Sequence, residues 1–246
     1  MDLAVLRDDM VASLEHESKR CVTSDAVSIA MRTVPRHCFV DDARGAYTDQ
    51  AFDHRGTTIL APSTAGRLLE ALCLEPDESV LIVGAGVGYT AAVVAEIVGA
   101  ANVQAVDISR QLVYDARQCL ADAGYESVYV DQGDGAFGLP AYAPYDKILV
   151  EAASVRPPAA LLDQLAPGGR LVMPLGAGEQ TLVAIEGGDV VEHCGTVIFR
   201  PLLVDGEQAG TVERNRTARE DYEHAVRDAE SRHGWEQEWI DWDHRL

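Results

Sequence analysis

From Ser79 onward the chain alternates between short β-rich runs and helical segments, and this rhythm limits the fold more than any other feature of the sequence. The runs fall at 80–83, 103–107, 127–131, 146–151 and 169–174, with helical periodicity at about 89–99, 110–123 and 158–165 between them. Successive β-α-β units build a parallel, doubly wound sheet, and such sheets bind ligands beyond the carboxyl ends of their strands. Residues 181–186 and 190–200 have no helical stretch between them, and Gly187-Gly188-Asp189 supplies turn chemistry, so they predict an antiparallel hairpin that closes the sheet. The expected fold is α/β: a doubly wound, Rossmann-like mixed sheet of seven strands, with N-terminal helices and a C-terminal helical extension.

Upstream of the sheet, Leu3, Leu6, Met10, Val11 and Leu14 recur at helical spacing and predict a helix over 3–18. A second helix follows, capped by Ser24 or Asp25, with Val27, Ile29, Ala30 and Met31 on its buried side before Pro35 stops it. Residues 36–58 lack regular periodicity and read as a long loop beside a site, after which Pro62 opens a helix running to about Cys73. Beyond Leu203 the composition turns charged. Three regions result: a helical cap with a ligand-side loop over 1–78, a binding core over 79–203, and an acidic extension over 204–246. In that extension Trp235, Trp239 and Trp242 share one helical face, to be buried on the chain's own core or in an oligomer or partner contact.

Charge excludes some functions. Forty acids against 20 bases give a net charge of −20, with Lys19 and Lys147 the only lysines, and such a surface repels nucleic-acid phosphates. It suits a salt-rich, halophilic cytoplasm, where screening shortens repulsion among the acids. No apolar run approaches the roughly 20 residues that span a bilayer, and the N-terminus has neither the basic nor the apolar region of a secretory leader. A cytoplasmic location with no membrane partner is expected. The five cysteines are scattered, without a C-x-x-C pair or metal-ligand spacing, so no metal is expected.

Chemistry concentrates at strand ends. Val80-Leu81-Ile82-Val83 runs into Gly84-Ala85-Gly86-Val87-Gly88, a glycine turn that opens a helix, where backbone amides and close approach suit a nucleotide. A dinucleotide and S-adenosylmethionine can both use such a turn. Dinucleotide sites place a third glycine where this chain has Tyr89, which disfavours them. The second strand ends in Asp107-Ile108, and an acid there can accept hydrogen bonds from both ribose hydroxyls. After the third strand comes Gly133-Asp134-Gly135, where Asp134 can accept from an adenine amino group while the flanking glycines leave room for the ring.

These residues, in this order, resemble the protein L-isoaspartate O-methyltransferase family. The resemblance spans about Met10 to Leu203 and rests on Val34-Pro35-Arg36-His37-Cys38-Phe39-Val40, Ala46-Tyr47-Thr48-Asp49, the glycine turn, and Gly133-Asp134-Gly135 with Pro144-Tyr145-Asp146. Leu162 to Val172, Pro174-Leu175-Gly176 and Phe199-Arg200-Pro201-Leu202 continue it. It implies a class I methyltransferase with S-adenosyl-L-methionine as cofactor and isoaspartyl protein or peptide as substrate. Gly84, Ala85, Gly86 and Gly88 would then lie by the methionine and ribose, Asp107 and Ile108 at the ribose, and Gly133, Asp134 and Gly135 at the adenine.

The departures cluster on the acceptor side. The family's loop reads Gly-Gln-Thr-Ile-Ser, a small residue, then Pro; this chain has Gly56-Thr57-Thr58-Ile59-Leu60-Ala61-Pro62, with Leu60 in the serine's place. Thr57, Thr58 and Ser63 are the remaining hydroxyls, with Thr58 and Ser63 the catalytic candidates. Glu151, at the fourth strand's end, replaces a small or hydroxylated residue and would repel a carboxylate acceptor or serve as base to an amine or hydroxyl. His37 and His54 are weaker candidates. The alternatives are a paralogue with another acceptor, or a cofactor-binding adaptor without turnover.

Overall fold

The computed structural model describes residues 2–203 of the 246. Helix α1 covers Leu3–Glu15, with Asp2 accepting the Ala4 amide as its cap. It stops short of residue 18 because the His16 ring accepts the Ser18 amide and the chain turns back so that Cys21 reaches the Leu14 carbonyl. Helix α2 (Asp25–Thr33) is capped by Ser24 as expected. Its Ile29, expected inside, is 62% exposed, while Val27, Ala30 and Met31 carry the buried stripe. Residues 36–58 are more ordered than the irregular pattern suggested. Two 3-10 turns (Arg36–Cys38 and Gly45–Tyr47) precede a hairpin of β1 (Phe52–His54) and β2 (Thr57–Ile59). Strands of three residues are too short to register as alternation, and the turn needs left-handed Arg55 and Gly56. Helix α3 (Pro62–Leu72) begins on its proline.

The core follows as β3 (Val80–Val83), α4 (Tyr89–Val98), β4 (Val103–Asp107), α5 (Arg110–Asp122), β5 (Tyr129–Gln132) and β6 (Tyr145–Val150). Then come α6 (Ala159–Leu162), β7 (Leu165–Leu175), β8 (Gln180–Glu186) and β9 (Asp189–Val197). The seven strands stand in the order β5-β4-β3-β6-β7-β8-β9. Strands β5 to β7 through β3 are parallel, and β8 and β9 form the antiparallel closing hairpin. The helix expected at 158–165 shrinks to one turn, because Leu165 already pairs with Tyr145 and draws the chain into β7.

Strand β3 is buried on both faces, as the centre of a parallel sheet requires. Val80 and Ile82 join a cluster with Met10, Leu14, Met31, Leu68, Leu72 and Val93, so the N-terminal helices share their hydrophobic core with the sheet. Leu81 and Val83 face a second cluster with Ile148, Leu161, Leu171 and Met173. Each buried aliphatic side chain of this kind contributes about 1.5–3 kcal/mol. Edge strand β5 has part of its outer row occupied by nearby side chains. The amide of Gly133 bonds back to the Asp107 carbonyl, so alternate groups at 130 and 132 point outward. There Arg117 Nε donates to the Val130 carbonyl at 2.9 Å, and the Gln132 amide donates to the Asp131 carboxylate at 2.9 Å.

Candidate active site

The glycine turn is held by the strand next door. The amides of Gly84 and Ala85 donate to the Val106 carbonyl at 2.8 and 3.1 Å, and Gly84, Gly86 and Gly88 take positive φ values of 91°, 54° and 90°. Asp107 completes the clamp: Oδ2 accepts the Gly86 amide at 3.0 Å and Oδ1 accepts the Ser109 amide at 2.9 Å. Burial pushes its carboxyl above the usual range, and these two amides pull it back. Two of the glycines serve opposite needs. A Cβ on Gly86 would meet nothing closer than the Gly84 carbonyl at 4.0 Å, so that side of the turn is open to a ligand. A Cβ on Gly88 would lie 3.1 Å from Leu120 Cγ, so Gly88 lets α4 start against α5.

After β5, Asp134 Oδ1 accepts the Ala136 amide at 2.9 Å. The two glycines flanking Asp134 differ in what a side chain there would meet. A Cβ on Gly135 would sit 2.4 Å from Val83 Cγ1, so this glycine is required by packing against the end of β3; at Gly133 the nearest atom, Val106 Cγ2, is at an ordinary 3.5 Å. Ile108, next to Asp107, is half-buried.

Glu151 lies against the glycine turn. Its amide donates to the Val83 carbonyl at 2.8 Å, and a Cβ on Gly84 would touch the Glu151 Cβ at 3.5 Å. Its Oε1 is sealed from solvent and has no hydrogen-bond partner among the described residues. Burial pushes its carboxyl up to about 8; the nearby Thr90 hydroxyl opposes this and the Asp107 charge adds to it.

The acceptor-side segment is organised by a residue the sequence did not single out. Arg36 is fully buried, donating from Nε to the Ala46 carbonyl at 2.8 Å and from Nη2 to the Leu60 carbonyl at 2.6 Å. Its guanidinium stacks 4.5 Å from the centre of the Tyr89 ring, which Phe39 also meets edge-on. One cation therefore joins the loop carrying Leu60 to the first residue of α4. An arginine within the mostly apolar Val34–Val40 run, beside His37, was the available signal.

The hydroxyl candidates separate. The Ser63 amide and hydroxyl engage Asp49, which also pairs with Lys19 at 2.7 Å, so Ser63 belongs to the capping of α3. Thr57 and Thr58 sit on β2, opposite His54 and Asp53. His54 bonds to Asp115 of α5 at 3.0 Å, joined there by Arg55 at 2.7 Å, and His37 bonds to the Tyr47 hydroxyl at 2.7 Å. Both histidines thus hold structure together. Among the described residues no cluster of three metal-ligating groups occurs, all five cysteines are free, and no helix is long and apolar enough to cross a membrane. The tryptophan face expected at 235–242 lies outside the described residues.

An open glycine turn, a buried acid at the neighbouring strand end and a partnerless carboxylate oxygen together fit a nucleoside that carries a ribose diol and positive charge. Comparison with known proteins points to one family. The model of the family described as protein-L-isoaspartate(D-aspartate) O-methyltransferase matches residues 7–208. A protein-L-isoaspartate O-methyltransferase of Aeropyrum pernix is 46% identical over 192 residues, covering 74% of each chain. One from Roseiflexus sp. strain RS-1 is 42% identical over 222 residues, 87% of this chain and 98% of its own. Among solved structures, a protein-L-isoaspartate O-methyltransferase superposes with a TM-score of 0.71 at 26% identity, covering 81% of this chain and 66% of that one. A Plasmodium falciparum structure described as a complex with S-adenosyl-L-homocysteine gives 0.69 at 21% identity, covering 80% and 98%, a likeness of fold.

Proposed function

The chain belongs to the protein-L-isoaspartate O-methyltransferase family, and on that footing we propose that it methylates the free α-carboxylate of isoaspartyl residues in proteins, with S-adenosyl-L-methionine as donor. The observation that carries the reading is the clamp of Asp107 on Gly86 at 3.0 Å, which fixes an open glycine turn at the switch point of a sheet whose sequence matches the family almost throughout. Gly84, Ala85, Gly86 and Gly88 line the methionine and ribose, Asp107 and Ile108 meet the ribose, and Gly133, Asp134 and Gly135 border the adenine. The cofactor, when bound, supplies a methyl group made electrophilic by a sulfonium.

What remains for the protein is placement. A carboxylate acceptor titrates near 4 and is ionised at neutral pH, so no general base is needed. Rate comes from holding the acceptor oxygen in line with the methyl group and from keeping water out. Arg36 contributes by fixing the Leu60 carbonyl and the start of α4 to one another. Thr57 and Thr58 are the hydroxyls left to orient the acceptor, since Ser63 is committed to Asp49. Glu151 favours its neutral form in the cofactor-free fold, and with the donor bound the adjacent sulfonium would offset its charge towards the incoming carboxylate.

Radiolabelled S-adenosylmethionine incubated with an isoaspartyl peptide is expected to give a base-labile methyl ester, with the aspartyl isomer unlabelled. Label in a base-stable product would favour an amine acceptor with Glu151 as its base, and absence of label despite cofactor binding would favour an adaptor. The working environment belongs to the same proposal: a cytoplasm rich in salt, suited to a net charge of −20.

A further inference from the structure

We propose that Glu151 makes the cofactor site selective for a cation: its carboxylate, set against the glycine turn, retains the sulfonium donor and disfavours the neutral thioether left after transfer. This inference rests on the cofactor assignment above and adds a means of product release that the family resemblance does not supply, since the family has a small or hydroxylated residue there.

The argument starts from what surrounds the side chain. From β3 it meets Gly84, whose missing Cβ would lie 3.5 Å from its own. From α4 it meets the Thr90 hydroxyl, and from β4 the charge that acts on it is another acid, Asp107. The buried arginine of the region, Arg36, places Nε and Nη2 on the carbonyls of Ala46 and Leu60 and its plane on the Tyr89 ring, and Glu151 is not among the groups that act on it. These elements therefore give Glu151 no cation, and Oε1 is left sealed and partnerless. A buried carboxylate without a countercharge is held neutral, and an arriving positive group restores its charged form. The donor carries one more positive charge than the thioether product, and that difference sits on the sulfur that loses the methyl group. After transfer the carboxylate faces no sulfonium, takes its proton back, and the product loses one attraction.

Protons follow the same route. With its carboxyl pushed up to about 8, Glu151 is mostly protonated at pH 7. Sulfonium binding lowers that value, so binding releases up to one proton and tightens as pH rises from 6 toward 8. Asp107 also faces the site, and in the cofactor-free fold two amides hold it, so any proton it contributes would appear with both ligands and cancel in the comparison of sulfonium with thioether.

Titration calorimetry of the full chain with S-adenosylmethionine and, separately, S-adenosylhomocysteine tests this directly, at pH 7 in two buffers of different ionisation enthalpy. Proton release with the sulfonium and none with the thioether is expected. In Glu151→Gln, affinity for the sulfonium should fall about tenfold while that for the thioether stays within about twofold. Equal losses for both ligands, or no proton release, overturn the proposal while leaving the cofactor assignment standing. Binding of neither ligand by the wild-type chain overturns both. Should Glu151→Gln not fold, Glu151→Thr, which restores a hydroxylated residue, carries the same comparison, and the wild-type buffer series stands without any variant.

Discussion

Leu60 occupies the place where related enzymes carry a serine, and its surroundings say how much a hydroxyl there would change. Its side chain is half-buried against the core while its carbonyl is fixed by Arg36 at 2.6 Å, so a substitution alters the group presented and leaves the backbone where it is. One hydrogen bond to an ionised acceptor is worth about 1.5–3 kcal/mol. Leu60→Ser is accordingly expected to raise kcat/KM on an isoaspartyl peptide by about tenfold or more, at a modest cost in melting temperature from lost apolar burial. An unchanged kcat/KM in a folded variant would mean that Thr57 or Thr58 already supplies the contact. At this same scale, sequence and structure part company most. Asp107 and the open Gly86 follow from strand-end logic, whereas Gly135 owes its identity to Val83 Cγ1, which no local pattern reveals. The committed state of Ser63 depends on Asp49, fourteen residues away.

At the level of elements, the β1–β2 hairpin is anchored to α5 at Asp115, which takes His54, Arg55 and Gln111 together. Burial alone would raise the Asp115 carboxyl, but hydrogen bonds from His54 and Gln111 and the charge of Arg55 outweigh it and hold it low. Because the folded value is depressed, the anchor is intact at neutral pH and its contribution is lost as pH falls through that value. Asp115→Ala should speed amide exchange across 52–59 and raise KM for the peptide several-fold, with S-adenosylhomocysteine affinity unchanged; exchange at the wild-type rate would remove the anchor from the account. This hairpin marks the limit of reading by periodicity. Strands β3, β4 and the closing β8–β9 pair were legible because alternation and glycine turns repeat over enough residues. Strands of three residues, and a helix cut short when Leu165 pairs with Tyr145, depend on partners distant in sequence.

Taken whole, the molecule carries far more acids than bases, and two arginines each serve two acids at once: Arg32 pairs with Asp8 and Glu15, and Arg170 with Glu186 and Glu192. The excess acid repels itself over about 10 Å at 0.1 M salt and over about 3 Å at 1 M. Thermal unfolding is therefore expected to shift upward by about 5 °C or more between 0.1 and 2 M KCl. A melting temperature indifferent to salt would detach the protein from a saline setting without touching its chemistry.

The partly occupied border of β5 bears on the company such a protein keeps. Aged polypeptides that have partly lost their structure are sticky, and an open border with spare amides and carbonyls would invite them to add on as a further strand. Arg117 and Asp131 fill some of those positions. Strand addition by a partly unfolded client is thereby hindered at this border and left to the opposite one, β9, whose Val190 and Val191 are exposed.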